Sequence, residues 1–576
     1  MKKIIIFILF ANIACAYDLP IGVPDPGFGL DETQPARPED WSSPVAGYYY
    51  VNEGTGDDTD NTYGTPSAPR ATIPDPLPAG SYLELHGTYT TEVGGLTFLR
   101  GSGTSDAWAA NSAGPVWIVA QDDDNRPTMS CQPIILGDYV YLDGIDFSFG
   151  ASDELLVGRT KDGSEEDADH IMIRDCTFTG DSTNLQSAIS VTSDDVTGDV
   201  SYIVLVDLTV SEMGNDTPSF EDQDAHGIKI GGTDTNHVWL LDSDISACSG
   251  SGLQVGQDGP AYDATDVQYV YVGNNYIHAT RQAGAGVKSS SYVVVTENRL
   301  YDAFTRTSGS PSPGKGVGWK DDPDEIWIIF NKIKGSPYGI HGGAVNSNYD
   351  IYIIGNAIWD INPDDAGSWD GDNAWNEAAI SLVSAVNANI RVIANTIYDV
   401  CMGIASPHAA IATVENNIIS EINHANGYHL NFQAGTTVSF LHNNFFHDSG
   451  GLVFDWGEDT GYTTIAALEQ AEADATNNSD ADPTFTDTES PTLSLQSGST
   501  AINAGLAATS LQDNVYATYL ATFGESIEVD INSVSRPAGN SWDVGAYEYS
   551  GSANVTTGAG TTVSFSATGT PATFGK

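Results

Sequence analysis

Apolar and polar positions alternate with a period of two in short runs along the middle of the chain, and the runs recur. The clearest copies are YVYVGNNYI, YVVVTENRL, EIWIIFNKI, DIYIIGNAI, NIRVIANTI and ATVENNII. Each has a β-branched or aromatic run, an Asn, a spacer and an Ile or Leu before a turn. Alternation over so few residues predicts short strands with one face buried. The shared Asn falls at Asn275, Asn298, Asn331, Asn356, Asn395 and Asn417, the last two 22 residues apart. Between copies lies a second short strand that opens on Gly: GIKIGG, GLQVGQ, GVKSSS, GVGWKDD, GIHGGA and GIASPH. One such coil cannot bury its apolar face alone. Stacked coils, about 4.8 Å apart, pair in parallel and close a core. The fold class predicted is all-β, a right-handed parallel β-helix solenoid with a short C-terminal β region. The repeated Asn reads as an internal amide ladder, not as catalytic machinery.

The pattern changes at both ends. Lys2 and Lys3, the apolar run Ile4 to Phe10 and Ala14-Cys15-Ala16 read as a signal peptide over residues 1–16. A lipid anchor on Cys15 is the alternative there. A Pro-rich leader follows over 17–46, the β-helix over 47–460, a C-terminal cap region over 461–549 and a Gly/Ser/Thr-rich tail over 550–576. No later run is long and apolar enough to span a bilayer. The expectation is a protein that is secreted or held at the cell surface, without membrane insertion and monomeric.

Charge narrows the partners. With 21 Lys and Arg against 77 Asp and Glu, the net charge is −56. Bulk electrostatics then exclude nucleic acid and anionic membranes as ligands. Cys131, Cys176, Cys248 and Cys401 are far apart and form no CxxC pair, so neither a zinc site nor a disulfide framework is expected; they read as buried small residues. There is no phosphate-binding loop and no serine or cysteine triad motif.

Two segments carry a family resemblance. Ser499 to Gly505 (STAINAG), with Arg536-Pro537 and Trp542 to Glu548 (WDVGAYE), resembles the terminus of secreted bacterial β-helix proteins of the pectin-lyase-like kind. Leu77-Pro78-Ala79-Gly80-Ser81 followed by His86-Gly87-Thr88-Tyr89 resembles the first coils of the chondroitinase B and alginate lyase family of polysaccharide lyases. Lys288 in GVKSSSYVVVTENRL resembles the base-bearing Lys-Ser segment of those enzymes. The resemblance implies a polysaccharide substrate and β-elimination, with Lys288 as base and Lys320 as proton donor or carboxylate clamp. His341, a coil further on, assists either step. The family binds calcium through acids just before the catalytic Lys, whereas this chain has Arg281-Gln282-Ala283-Gly284-Ala285-Gly286 there. Arg281 then stands in for the ion as carboxylate partner, or calcium sits nearby on Asp321 and Asp322.

Period-two alternation places Lys229, Gln254, Lys288, Gly318 and His341 in one outward column, with Lys320 one outward step along its strand. Lysine serves as a base when burial and neighbouring positive charge lower its pKa. Trp319, and Trp369 and Trp375 in the loop from Asn362 to Glu377, are candidate sugar contacts; a loop tryptophan equally well covers a core. Two other classes remain open. A glycoside hydrolase needs two carboxylates, for which Asp224 and the Asp321/Asp322 pair are the best available. A non-catalytic glycan-binding or adhesive rod needs none.

Overall fold

The structure is a computed structural model. It describes residues 17–550 apart from 91–96, 106, 159–166, 194–198, 218–222, 258–262, 305–313, 344–348, 363–376, 383–387, 408, 426, 434–435, 458–460 and 488–492.

Three parallel strand ladders wind around one core. The first contains Ile228–Gly232, Leu253–Val255, Ala283–Lys288, Lys315–Lys320 and Tyr338–Gly342, each paired in parallel with the next coil. The second contains Thr235–Leu241, Val267–Gly273, Ser291–Thr296, Asp324–Ile329 and Tyr349–Ile354. The third contains the short strands Asp244–Ser246, Tyr276–His278, Arg299–Tyr301, Lys332–Lys334 and Ala357–Ile361. This is the right-handed parallel β-helix expected from the repeat. The inward residues, such as Ile230, Val255, Val287 and Val317, form one continuous core along the axis.

Two internal ladders fix the coil geometry. The amide Nδ2 of Asn275 donates to Oδ1 of Asn298 at 2.9 Å, and the same bond repeats through Asn331, Asn356, Asn395 and Asn417. It continues to Asn444 and Asn478, two members the sequence repeat did not single out. Each Oδ1 also accepts the backbone N–H of the preceding ladder Asn, as Asn331 does from Asn298 at 3.1 Å. The buried amides are thus satisfied on both sides, as buried polar groups must be. The second ladder is steric. A Cβ at Gly252 would stand 3.0 Å from the carbonyl oxygen of Gly284, and one at Gly284 would stand 2.7 Å from that of Gly316. Glycine here lets the coil corner tuck against the next coil.

The leader and the C-terminal region lie on the outside. Pro24 accepts from the Trp239 indole at 2.9 Å, and Gly22 accepts from Tyr519 at 2.7 Å. Helix α1 (Ile465–Ala471) is capped by Thr464, and α2 (Val515–Phe523) by Asn514. The buried face of α2, Tyr519 and Phe523, meets Trp327 edge-on across the second sheet. The motif that resembles β-helix termini closes on itself: Arg536 and Glu548 pair at 3.1 Å, both buried. Ala546 N–H donates to Thr396 Oγ1, docking that segment on the third sheet. Cys131, Cys176, Cys248 and Cys401 are buried free thiols. Among the described residues no helix is long and apolar enough to cross a membrane.

Candidate functional site

A groove of about 790 Å³ lies on the outer face of the first sheet. Strand register builds its floor. One outward column runs Ser190, Lys229, Gln254, Gly286, Gly318, His341 and Ser381 on successive coils. Two residues further along the strands, Lys288 pairs with Lys320. At about 4.8 Å per coil, Ser190 to His341 spans about 24 Å. Gly286 leaves the middle of the floor open, and Gly318 leaves room that a neighbouring side chain fills.

One end of this floor is cationic. Lys315 is the first residue of its strand, and its stem lies over Gly318: a Cβ there would meet Lys315 Cδ at 2.5 Å. Burial, then the charges of Lys288 and Lys320, lower the Lys315 pKa to about 8. Lys288 Nζ donates to Gln254 Oε1 at 3.0 Å, tying two coils together. Lys320 pairs with Asp321 at 3.4 Å, both well exposed. His341 is held neutral, its pKa pushed down to about 3 by burial and then by Lys315. Its Nδ1 is buried and has no hydrogen-bond partner among the described residues. The Tyr338 ring stands edge-on to it, 4.7 Å between centroids.

The other end is polar and mixed in charge. Ser190 Oγ donates to Glu154 at 2.7 Å, and Gln282 Nε2 donates to Asp224 at 2.5 Å. The Ser251 N–H donates to His226 Nδ1 at 2.9 Å, so the proton of the neutral ring sits on Nε2. Lys229, Gln223, Gln254 and Gln257 complete this end.

The structure brings Lys229, Gln254, Lys288, Lys320 and His341 to one groove. It corrects the column: Gly286, not Lys288, aligns with Gln254 and Gly318, and Lys288 stands beside Lys320. Arg281 does not face the groove. It is wholly buried, and its guanidinium donates to the Asn215 carbonyl at 2.9 Å, so it is not placed as a carboxylate partner. Trp319 is likewise corrected, because its ring packs into the inner core and a Cβ at Gly342 would touch it at 2.3 Å. Trp369 and Trp375 lie outside the described residues. Asp321 and Asp322 take left-handed conformations at the coil turn after Lys320, φ 59° and 64°. Among the described residues no three His, Cys, Asp or Glu side chains are grouped to hold a metal.

Lys315, Glu154, His226 and Gln257 escaped the sequence pattern. Strict alternation points Lys315 inward with Val317 and Trp319. Only its place at the coil corner, and the missing side chain of Gly318, let it swing outward. Glu154 and Gln257 sit at coil ends, where the period no longer applies. The sole hint of Lys315 in the chain was a lysine immediately before the Gly-Val-Gly-Trp-Lys run.

No family model matches the chain, and no curated protein does. Among solved structures it is similar to a pectate lyase, Pel9A, at 15% identity over 87% of this chain and 96% of that one, TM-score 0.33. It is also similar to a GH136 lacto-N-biosidase from Eubacterium ramulus, at 13% identity over 75% and 67% of the two chains, TM-score 0.37. A PL6 family alginate lyase matches at 13% identity over 71% of this chain, TM-score 0.38, and the match spans only 52% of the lyase. These proteins share the parallel β-helix. At such identities and scores nothing about activity passes from them to this chain.

Proposed function

We propose that the groove cleaves a uronate-containing polysaccharide by β-elimination. The observation that carries this is the convergence of Lys288, Lys315, Lys320 and neutral His341 in one groove, in a chain of net charge −56. Such a cluster neutralises a uronate carboxylate, and it also depresses one member's pKa into the range of a working base. Lys315 is that member. Its neutral amine takes the proton on C5. The C5–H electron pair becomes the C4–C5 double bond, the C4–O4 bond breaks, and O4 leaves with a proton from the Lys320 ammonium. Lys288, held by Gln254, faces the carboxylate and stabilises the charge that builds on it. The neutral His341 ring lines the same part of the groove and offers the sugar an uncharged polar neighbour. The base is thus assigned to Lys315 rather than to Lys288, which the family resemblance favoured. Calcium on Asp321 and Asp322 is the one cofactor proposed, and such a polymer is met outside the cytoplasm, as an exported chain would require.

The test is incubation with alginate, pectate, chondroitin and ulvan, with and without calcium, followed by the absorbance of the unsaturated uronate product. A rise on at least one polymer, lost in Lys315→Met, is expected. Glu154 and Asp224 in the same groove favour hydrolysis as the second reading. New reducing ends without the absorbance would establish it in place of the lyase.

A further inference from the structure

A second cluster of cations lies on the third sheet, away from the groove. Arg299 and Lys332 are register neighbours, and Tyr301, Lys334 and Trp359 follow in the adjacent outward column. Further along this sheet the C-terminal segment docks at Thr396 and Ile418, through Ala546 and Gly545. It stops short of Arg299. A cleft of about 500 Å³ remains, with Arg299, Lys332, Tyr301 and Trp359 on the sheet side and Asn532 and Tyr547 on the cap side.

The charge state of this cleft is unusual for the chain. Acidic side chains outnumber basic ones 77 to 21, yet among the described residues none of Arg299, Lys332 and Lys334 makes an ion pair. Arg299 instead lies over the Tyr276 ring at 4.6 Å, and Lys334 over Tyr301 at 4.8 Å. Glu297 and Asp360 feel Lys332 and Lys334 only from a distance. The half-buried Tyr301 adds apolar surface beside the cations, and Asn532 adds an amide.

We propose that this cleft is a second, anchoring site for a saccharide that carries carboxylate or sulfate. Arginine and lysine bind the anion, the half-buried Tyr301 ring takes the apolar face of the sugar ring, and the amide takes its hydroxyls. The field of the whole chain opposes a long polyanion such as nucleic acid more than a short anionic oligosaccharide, whose few charges the cations of the cleft can meet. The site extends beyond the groove and does not depend on its chemistry.

The experiment is calorimetric titration of the Lys315→Met protein, in which turnover is blocked, with tetragalacturonate, a chondroitin sulfate tetrasaccharide and neutral cellotetraose. The same titrations follow on that protein carrying Arg299→Gln and Lys332→Gln. The expected result is the loss of one binding site per chain for an anionic probe, or at least a roughly tenfold weakening of it, with no change for cellotetraose. Lys332→Arg retains binding. If the groove binds no uronate, the count falls from one to zero; if it does, from two to one, so failure of the groove leaves this test intact. Circular dichroism and the melting midpoint confirm that the variant is folded. Equal stoichiometry and affinity with and without the substitutions, or no binding of either anionic probe by the Lys315→Met protein, overturns the proposal.

Discussion

Lys315 owes its lowered pKa to burial and then to the charges of Lys288 and Lys320, and a glycine on its own strand leaves room for its stem. Its stem occupies the volume that a side chain at 318 would fill, and this brings the amine beside Lys288, Lys320 and His341. Gly318→Ala therefore tests the geometry with a single methyl. The nearest atoms are those of a flexible lysine rather than of backbone, so the variant is expected to fold. Displacing the amine should lower kcat/KM roughly tenfold or more, and the same substitution at Gly286, where a Cβ meets only ordinary contacts at 3.5 Å, should cost far less. Steady-state kinetics on the two variants check this. None of it was legible from residue types: alternation assigns Lys315 to the core. Arg281 failed in the opposite sense, a charged residue expected in the groove that is buried against the Asn215 carbonyl instead.

At the scale of strands and coils, the repeat was legible because its period is enforced by hydrogen bonding and by steric contact. Every ladder Asn sits where an amide must bond both neighbouring coils. Asn331→Ala strips a bonding partner from Asn298 and from Asn356. Leaving such groups buried and unsatisfied should lower stability by about 2–3 kcal/mol, measured as a shift in denaturant midpoint. The register was harder to read. The strand AGAGVK offers two glycines, and the corner glycine is Gly284, which meets Gly316, rather than Gly286. Aligning on Gly286 displaces Lys288 by two residues. A slip of two preserves the face of the strand, whereas a slip of one would have turned every side chain over. Lys288 was therefore expected on the correct face and in the wrong column.

Across the whole molecule, the leader, α2 and the C-terminal segment dress the second and third sheets, while the described part of the first carries the groove. Two carboxyls on the second sheet make stability depend on pH. Burial raises Glu415 and Glu325 to about 7. A carboxyl raised on folding binds its proton more tightly in the native state, so between about 4.5 and about 7 the native protein holds more protons than the unfolded chain. Stability from these groups is then greatest below that window and declines as pH rises through it. Glu415 accepts the Gln512 N–H in the contact between coil and cap. Glu415→Gln should raise the melting midpoint at pH 8, by at most about 3 kcal/mol of stability, and change it little at pH 4. Chemical denaturation at the two pH values measures it. The cap motif was recognisable from its residues, but the cleft it leaves over Arg299 and Lys332 depends on where the segment ends on the sheet, which no local pattern encodes.

The most direct measurement is the pH dependence of unsaturated-uronate formation by the unaltered protein on whichever polymer it cleaves, alongside Lys315→Met and Lys315→Arg. A lysine base with a pKa of about 8 predicts kcat/KM that rises with pH and levels off above about 8, with both variants nearly inactive though folded. A profile that is flat through that range, or Lys315→Met retaining most of the activity, would contradict the assignment of Lys315 as the base.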